Sequence, residues 1–325
     1  MKRNCLLTVL IIVGVTALVV GAEQTGRISV AESSNKALLP EITNCTIQNG
    51  ISYAIDASPY HKMDVYLPVG DGPFPAFVYI HGGGWVRGSR DEYSTLGPFY
   101  ARRGIAGFSI DYTLATQSKS SWPVVIQDVL LAIRHIKANA QRFRVDPEKI
   151  AVIGDSSGGH LAALAGLLSG NESFLGGKAE NPEISSRVSL VVDYYGPTDL
   201  QLVGESEESA VSQVSTVYWI TASFLGDVPY LMNQSLWIEA SPSTYIKPDA
   251  PIFVIVHGTN DTVVPIAVSE SFKSKLEAAG VETHFVRVEG GDHFILTTEE
   301  ENLQVRYALE PLLKRVFNLD HEEPF

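Results

Sequence analysis

The chain has 325 residues, 45% of them hydrophobic and 19% charged, which suits one large α/β domain or two small ones. Its 24 Lys and Arg stand against 37 Asp and Glu, a formal net charge of −13 that argues against nucleic acid or an anionic membrane as partner. Nothing in it resembles a repeat or a low-complexity tract.

The first residues have the layout of a secretory signal peptide spanning 1–22. Met1, Lys2 and Arg3 carry positive charge, Cys5 to Val20 is an uncharged apolar run, and Val20-Gly21-Ala22 supplies small residues before Glu23. The run falls short of the roughly 20 residues that a membrane span takes. Export to the periplasm or the exterior is therefore expected, with no stable membrane insertion after cleavage; an N-terminal membrane anchor is the alternative. Cleavage removes Lys2 and Arg3 and no acid, so the mature chain is more acidic still, which favours solubility. Cys45 is then the lone cysteine, and no internal disulfide can form. Asn44, Asn171 and Asn233 each open a glycosylation sequon, relevant only in a eukaryotic source.

Residues 23–49 read as a polar N-terminal arm, with the folded domain over 50–325. Tyr53-Ala54-Ile55 and Met63–Pro68 are expected as edge strands, and apolar Phe74–Ile80 as a buried one. Further strands are expected over 105–110, 149–153, 188–192, 251–256 and 284–288. Helices are expected over about 122–140, from 161, over 265–279 and over 298–316. Alternating strands and crossover helices define a mostly parallel central sheet with helices on both faces. The rhythm breaks at 201–240, a cap-like insertion over the ligand-binding face. Its aromatics Tyr218, Trp219, Phe224, Tyr230 and Trp237 either form a small core or line a pocket.

Four stretches at strand ends carry chemistry. Gly154-Asp155-Ser156-Ser157-Gly158 follows a strand and opens a helix, and glycines there let strand and helix approach closely around a strained serine. His81-Gly82-Gly83-Gly84-Trp85 follows another strand, and its glycines can aim N–H groups at a developing oxyanion. Asp261 and His293 follow the last two strands. A serine hydroxyl needs a base, for which His293 is the candidate, and the second imidazole nitrogen needs an acceptor, for which Asp261 is the candidate. Asp292 is a rival acid whose side chain is expected to point away from its neighbour. Asp155 suits a structural or pocket-wall role, His81 a loop-fixing one, and His135 and His160 packing or surface roles. Ser157 is one residue late for the nucleophile frame.

On these motifs, with Met63–Pro68, Ser109–Leu114, Ser241–Tyr245 and His257–Pro265, the chain resembles an α/β-hydrolase of the hormone-sensitive-lipase-like esterase group. Within it the similarity is to the bifunctional feruloyl/acetyl xylan esterase branch, over roughly residues 50–315. Thr113 stands where that group usually has arginine, and Gly290-Gly291-Asp292-His293 replaces its commoner Gly-x-Gly-His. The resemblance implies Ser156 as nucleophile, Asp261 and His293 as its partners, and Gly83, Gly84 and Ser157 as oxyanion donors. It also implies a secreted serine carboxylic-ester hydrolase acting through an acyl-enzyme on small-molecule or carbohydrate-linked acyl esters, with no metal or cofactor. An exported serine peptidase or amidase of the same fold, and a non-catalytic binding protein, are the alternatives.

Overall fold

Alternating side chains along the central strands divide the core into two layers. Ala76, Val78 and Ile80 face one layer and Phe77 and Tyr79 the other; Val152 and Ile153, Val191 and Val192, and Ile255 and Val256 repeat the division. The computed structural model describes residues 38–41, 44–56, 58–116, 119–171, 174–175, 180–209, 216–295 and 297–319. The expected signal peptide and the start of the polar arm lie outside them. Among the described residues, no helix is long and apolar enough to cross a membrane.

Eight strands make one sheet: β1 Cys45–Ser52, β2 Lys62–Pro68, β3 Phe74–Ile80, β4 Ala106–Ile110, β5 Val145–Asp155, β6 Leu190–Tyr194, β7 Ile252–Gly258 and β8 Thr283–Val288. Their order is β1-β2-β4-β3-β5-β6-β7-β8. The β1/β2 and β2/β4 pairs are antiparallel and all the others parallel. This is the expected mostly parallel sheet, and it is an α/β-hydrolase fold. Three expectations at its edge fail. Met63–Pro68 lies within β2, an inner strand paired with both β1 and β4, because β1 takes the edge. Regular structure starts at Cys45, inside the expected arm, because β1 is an edge strand whose largely exposed residues show no apolar alternation. Tyr53-Ala54-Ile55 is bent chain rather than strand; Tyr53 is buried in the core, where its hydroxyl donates to Asp111 O at 2.7 Å.

Helices α1 Leu96–Ala101, α2 Val124–Ala138, α3 Ala140–Phe143 and α4 Ser157–Leu168 accompany the first five strands. The insertion folds as α5 Leu200–Ser209, α6 Thr216–Phe224 and α7 Gln234–Glu239, and α8 Ile266–Ala278 and α9 Glu299–Phe317 follow. All of α4 is buried, since it packs against β5 and β6, α2 and the turn at Pro242–Tyr245. On the other face α9 brings Val305, Leu309, Leu313 and Phe317 to the layer of Phe77 and Tyr79. A capping box starts α9: the Thr298 hydroxyl accepts from Glu301 N at 3.2 Å, and Glu301 Oε2 accepts from Thr298 N at 3.0 Å.

The central packing constraint is a backbone approach. β3 and β5 pair so that Ile80 lies opposite Gly154, and α4 starts two residues beyond β5. A side chain at Gly158 would overlap the carbonyls of Ile80 and His81, and one at Gly154 would overlap the backbone of Gly158. Gly158→Ala should therefore lower the unfolding free energy by about 3 kcal/mol, near the upper range for overpacking. Urea denaturation measures this, and an unchanged midpoint would contradict the close approach.

Candidate active site

Ser156 sits between β5 and α4 with φ 53° and ψ −119°, a conformation costly for a residue with a side chain. Neighbouring backbone holds it there. Ser156 N donates to Tyr194 O at 2.8 Å, and Ser156 O accepts from His160 N at 3.1 Å. The turn pushes Oγ out at the carboxyl end of the sheet, where His293 Nε2 lies 3.1 Å away. His293 Nδ1 is 2.8 Å from Asp261 Oδ2. A carboxylate accepts only, so Nδ1 carries the proton and Nε2 is free to accept from the serine hydroxyl. Three loops, after β5, β7 and β8, thus bring Ser156, Asp261 and His293 into one line.

The Asp261 side chain is fully buried. Its Oδ1 accepts from Val263 N and Val264 N, both at 2.8 Å. Oδ2 also lies 3.2 Å from His257 Nε2, which is 2.9 Å from Val264 O. With two acceptors around it, Nε2 of His257 carries a proton, while Nδ1 takes the Ser269 hydroxyl at 2.7 Å. Burial alone would raise the Asp261 carboxyl; the donors of His257 and His293, with the Val264 N–H, outweigh it and hold the group well below the usual carboxylate range. Asp292 is excluded as the triad acid. It is exposed, and its Oδ1 accepts from Thr262 N at 3.1 Å, Thr262 Oγ1 at 3.0 Å and His293 N at 2.7 Å. It fastens the two loops to each other.

The glycine loop lies beside Ser156. Gly83, Gly84 and Trp85 all have positive φ, at 102°, 64° and 61°. Gly83 O accepts from Val86 N and Arg87 N, whereas the N–H groups of Gly83, Gly84 and first-turn Ser157 donate to no described residue. Asp155 supports the loop from below: its Oδ1 accepts from the Tyr93 hydroxyl at 2.7 Å, and it takes the Gly82 N–H. Burial raises the Asp155 carboxyl despite these donors. His81 fixes the loop as expected, stacked on Tyr112 with centroids 4.1 Å apart, and the Tyr112 hydroxyl donates to His81 O at 2.7 Å. Tyr195 meets the His293 ring edge-on at 4.8 Å, and Phe294, 70% exposed, does so at 5.4 Å.

Sequence reasoning gave no role to His257, Tyr93 or Tyr195. His257 stands four residues before Asp261, the one legible signal among them. The insertion's aromatics resolve toward a core: Tyr218, Phe224, Tyr230 and Trp237 are buried, with Tyr218 and Trp237 5.2 Å apart, whereas Trp219 stays 58% exposed. His160 is a packing residue, fully buried; its Nδ1 accepts from Trp85 Nε1 at 3.2 Å and its Nε2 donates to Ala240 O at 2.8 Å. His135 packs against Phe143.

Fold and site together define an α/β-hydrolase with a serine–histidine–aspartate constellation at the carboxyl ends of its strands. The BD-FAE family model matches residues 63–276, and the chain belongs to that family. Esterase LipC of Mycobacterium tuberculosis is 33% identical over 225 residues, 68% of this chain and 53% of the relative. The chain spans about half the length of the curated relatives it matches first. Among solved structures, the truncated form of a carbohydrate esterase from gut microbiota has a TM-score of 0.75 at 27% identity, over 86% of this chain and 99% of that one. A bifunctional GH43-CE protein of Bacteroides eggerthii reaches 0.70 at 31% identity, over 82% of this chain and 35% of that one.

Two outcomes follow from these environments. Asp261→Asn keeps the shape but favours the wrong imidazole tautomer, so turnover of an ester should fall about 10³–10⁴-fold in steady-state kinetics. Burial lowers His160 from 6.5 to about 4. Below about pH 6.5 the unfolded chain therefore takes up a proton that the folded chain refuses, and stability drops toward about pH 4, by about 3 kcal/mol. Asp193, raised by burial from 3.8 to about 6, acts oppositely over much of that window, since the folded chain protonates it first. His160→Gln should remove the first effect and leave the second in place. Relative to wild type, urea titrations should then show stability better retained as pH falls from about 6.5 to 4.

Proposed function

We propose that this chain is an exported carboxylic-ester hydrolase that works through an acyl-enzyme on short-chain or carbohydrate-linked acyl esters. The observation that carries the activity is the unbroken line from Ser156 Oγ through His293 to Asp261, at 3.1 and 2.8 Å, beside N–H groups with no partner among the described residues. Ser156 Oγ attacks the ester carbonyl carbon while His293 Nε2 takes the hydroxyl proton. The carbonyl π-bond pair moves onto oxygen, and the N–H groups of Gly83, Gly84 and Ser157 hold that oxyanion. Its collapse breaks the bond to the alcohol oxygen, which leaves with the proton from His293. Water then attacks the acyl-serine, giving its proton to His293, and release of the acid returns that proton to Ser156. Asp261, kept ionised, orients His293 and stabilises its protonated form in both halves.

The carbohydrate part draws on the carbohydrate-esterase name of the gut-microbiota neighbour. Export rests on the charged start and apolar run of residues 1–22. Fractionation of cells expressing the full chain, with N-terminal sequencing, tests it: product in the cytoplasm with residues 1–22 intact would refute it. For the activity, residues 23–325 and a Ser156→Ala variant are compared on p-nitrophenyl acetate and on acetylated and feruloylated xylo-oligosaccharides. Loss of the nucleophile should reduce turnover by about 10⁴-fold or more. Equal activity in the two proteins would rule out Ser156; acetate or ferulate release from the sugars decides the alcohol.

A further inference from the structure

The insertion meets the glycine loop through one face of α6. Ile220 and Phe224 are a helical turn apart and so project from the same side. They cover two consecutive loop residues. Phe224 stacks on Trp85 with centroids 4.3 Å apart and planes 16° from parallel. Ile220 lies on Gly84: its Cγ2 is 2.7 Å, and its Cδ1 3.8 Å, from where a Cβ on that glycine would stand. Phe224 is wholly buried, while Ile220 remains half-buried.

This face is held from several directions. Trp85 Nε1 donates to His160, His160 donates to Ala240 O just past α7, and the Ser120 hydroxyl donates to Phe224 O at 2.8 Å. Trp122 adds an edge-on contact to Phe224, with centroids 6.2 Å apart. Stepping α6 back from the loop would break the Ser120–Phe224 hydrogen bond and unstack Phe224 from Trp85.

Given the esterase reading above, on which this inference rests, the two arms of the substrate have different exits. The alcohol oxygen must face His293 Nε2 to receive its proton, so that arm leaves past Tyr195 and the exposed ring of Phe294. An acyl arm leaving on the opposite side of the carbonyl carbon would run along Gly84, under Ile220 of α6. We propose that Ile220 is the end wall of the acyl subsite and restricts this protein to esters of short acids, acetyl foremost, while the alcohol side stays open to a bulky group.

The test is kcat/KM on p-nitrophenyl acetate, butyrate and octanoate for wild type, Ile220→Ala, Ile220→Phe and Trp219→Ala. Ratios between esters do not depend on the fraction of folded protein, and the two Ile220 variants act in opposite directions, so either one decides. Wild type should prefer acetate. Ile220→Ala should raise the octanoate-to-acetate ratio about tenfold or more, and Ile220→Phe should lower the butyrate-to-acetate ratio by a similar factor, as methylene-sized changes in apolar pockets do. Trp219→Ala, at the neighbouring exposed position, should keep the wild-type ratios. Unchanged ratios in active Ile220 variants, a wild-type preference for octanoate, or a shift confined to the alcohol in aryl and alkyl acetates would overturn the assignment. Absence of wild-type hydrolysis on every ester would instead remove the esterase reading and this inference with it.

Discussion

The site depends on a contact between backbones. Gly154 and Gly158 let the turn around Ser156 close against the end of β3, so that the carbonyls of Ile80 and His81 occupy the space a side chain would take. The same contact fixes where the glycine loop begins, because His81 opens that loop. Candidate nucleophile and candidate oxyanion donors are thereby set by one register between β3 and β5. Their relative position does not rely on any flexible side chain, and the strained φ of Ser156 persists because strand, helix and Tyr194 O all constrain it.

Around that contact, buried polar groups are used as fixings. His160 is fully buried and stays neutral because burial disfavours its charge. Its two nitrogens join the residue after the glycine loop to the end of the insertion. Asp155 serves the other side of the loop through Tyr93 and Gly82. His257 does the same for Asp261, with Ser269 on its far nitrogen. Each has a partner for both of its polar ends, the arrangement in which a buried network rigidifies a structure. Asp193 differs. One of its oxygens accepts from Gly196 N at 2.8 Å and the other has no described partner, which is why burial raises it.

The three carboxylates near the site show how environment separates residues of the same type. Asp261 receives four donors with its side chain fully buried. Asp292, one residue from the histidine, accepts from Thr262 and His293 N and so ties two loops together in solvent. Asp155, one residue from the serine, points under the glycine loop. Adjacency in sequence is a poor guide here because consecutive loop residues direct their side chains differently.

Much of this was determined by the sequence alone. The apolar runs placed β3 to β7, and glycine spacing marked both loops, because close approach permits no other residue. The order Ser156, Asp261, His293 followed from which strand ends carried polar groups. Edge strand β1 was hidden, since an exposed strand shows no period to read. The fate of the insertion was decided only in three dimensions. Its aromatics fit a core or a pocket equally well until the stack of Phe224 on Trp85 and the seat of Ile220 on Gly84 fixed which face turns inward. Local pattern specifies elements and sharp turns; which surfaces meet depends on contacts between residues more than a hundred positions apart, and those exist only once the sheet has formed.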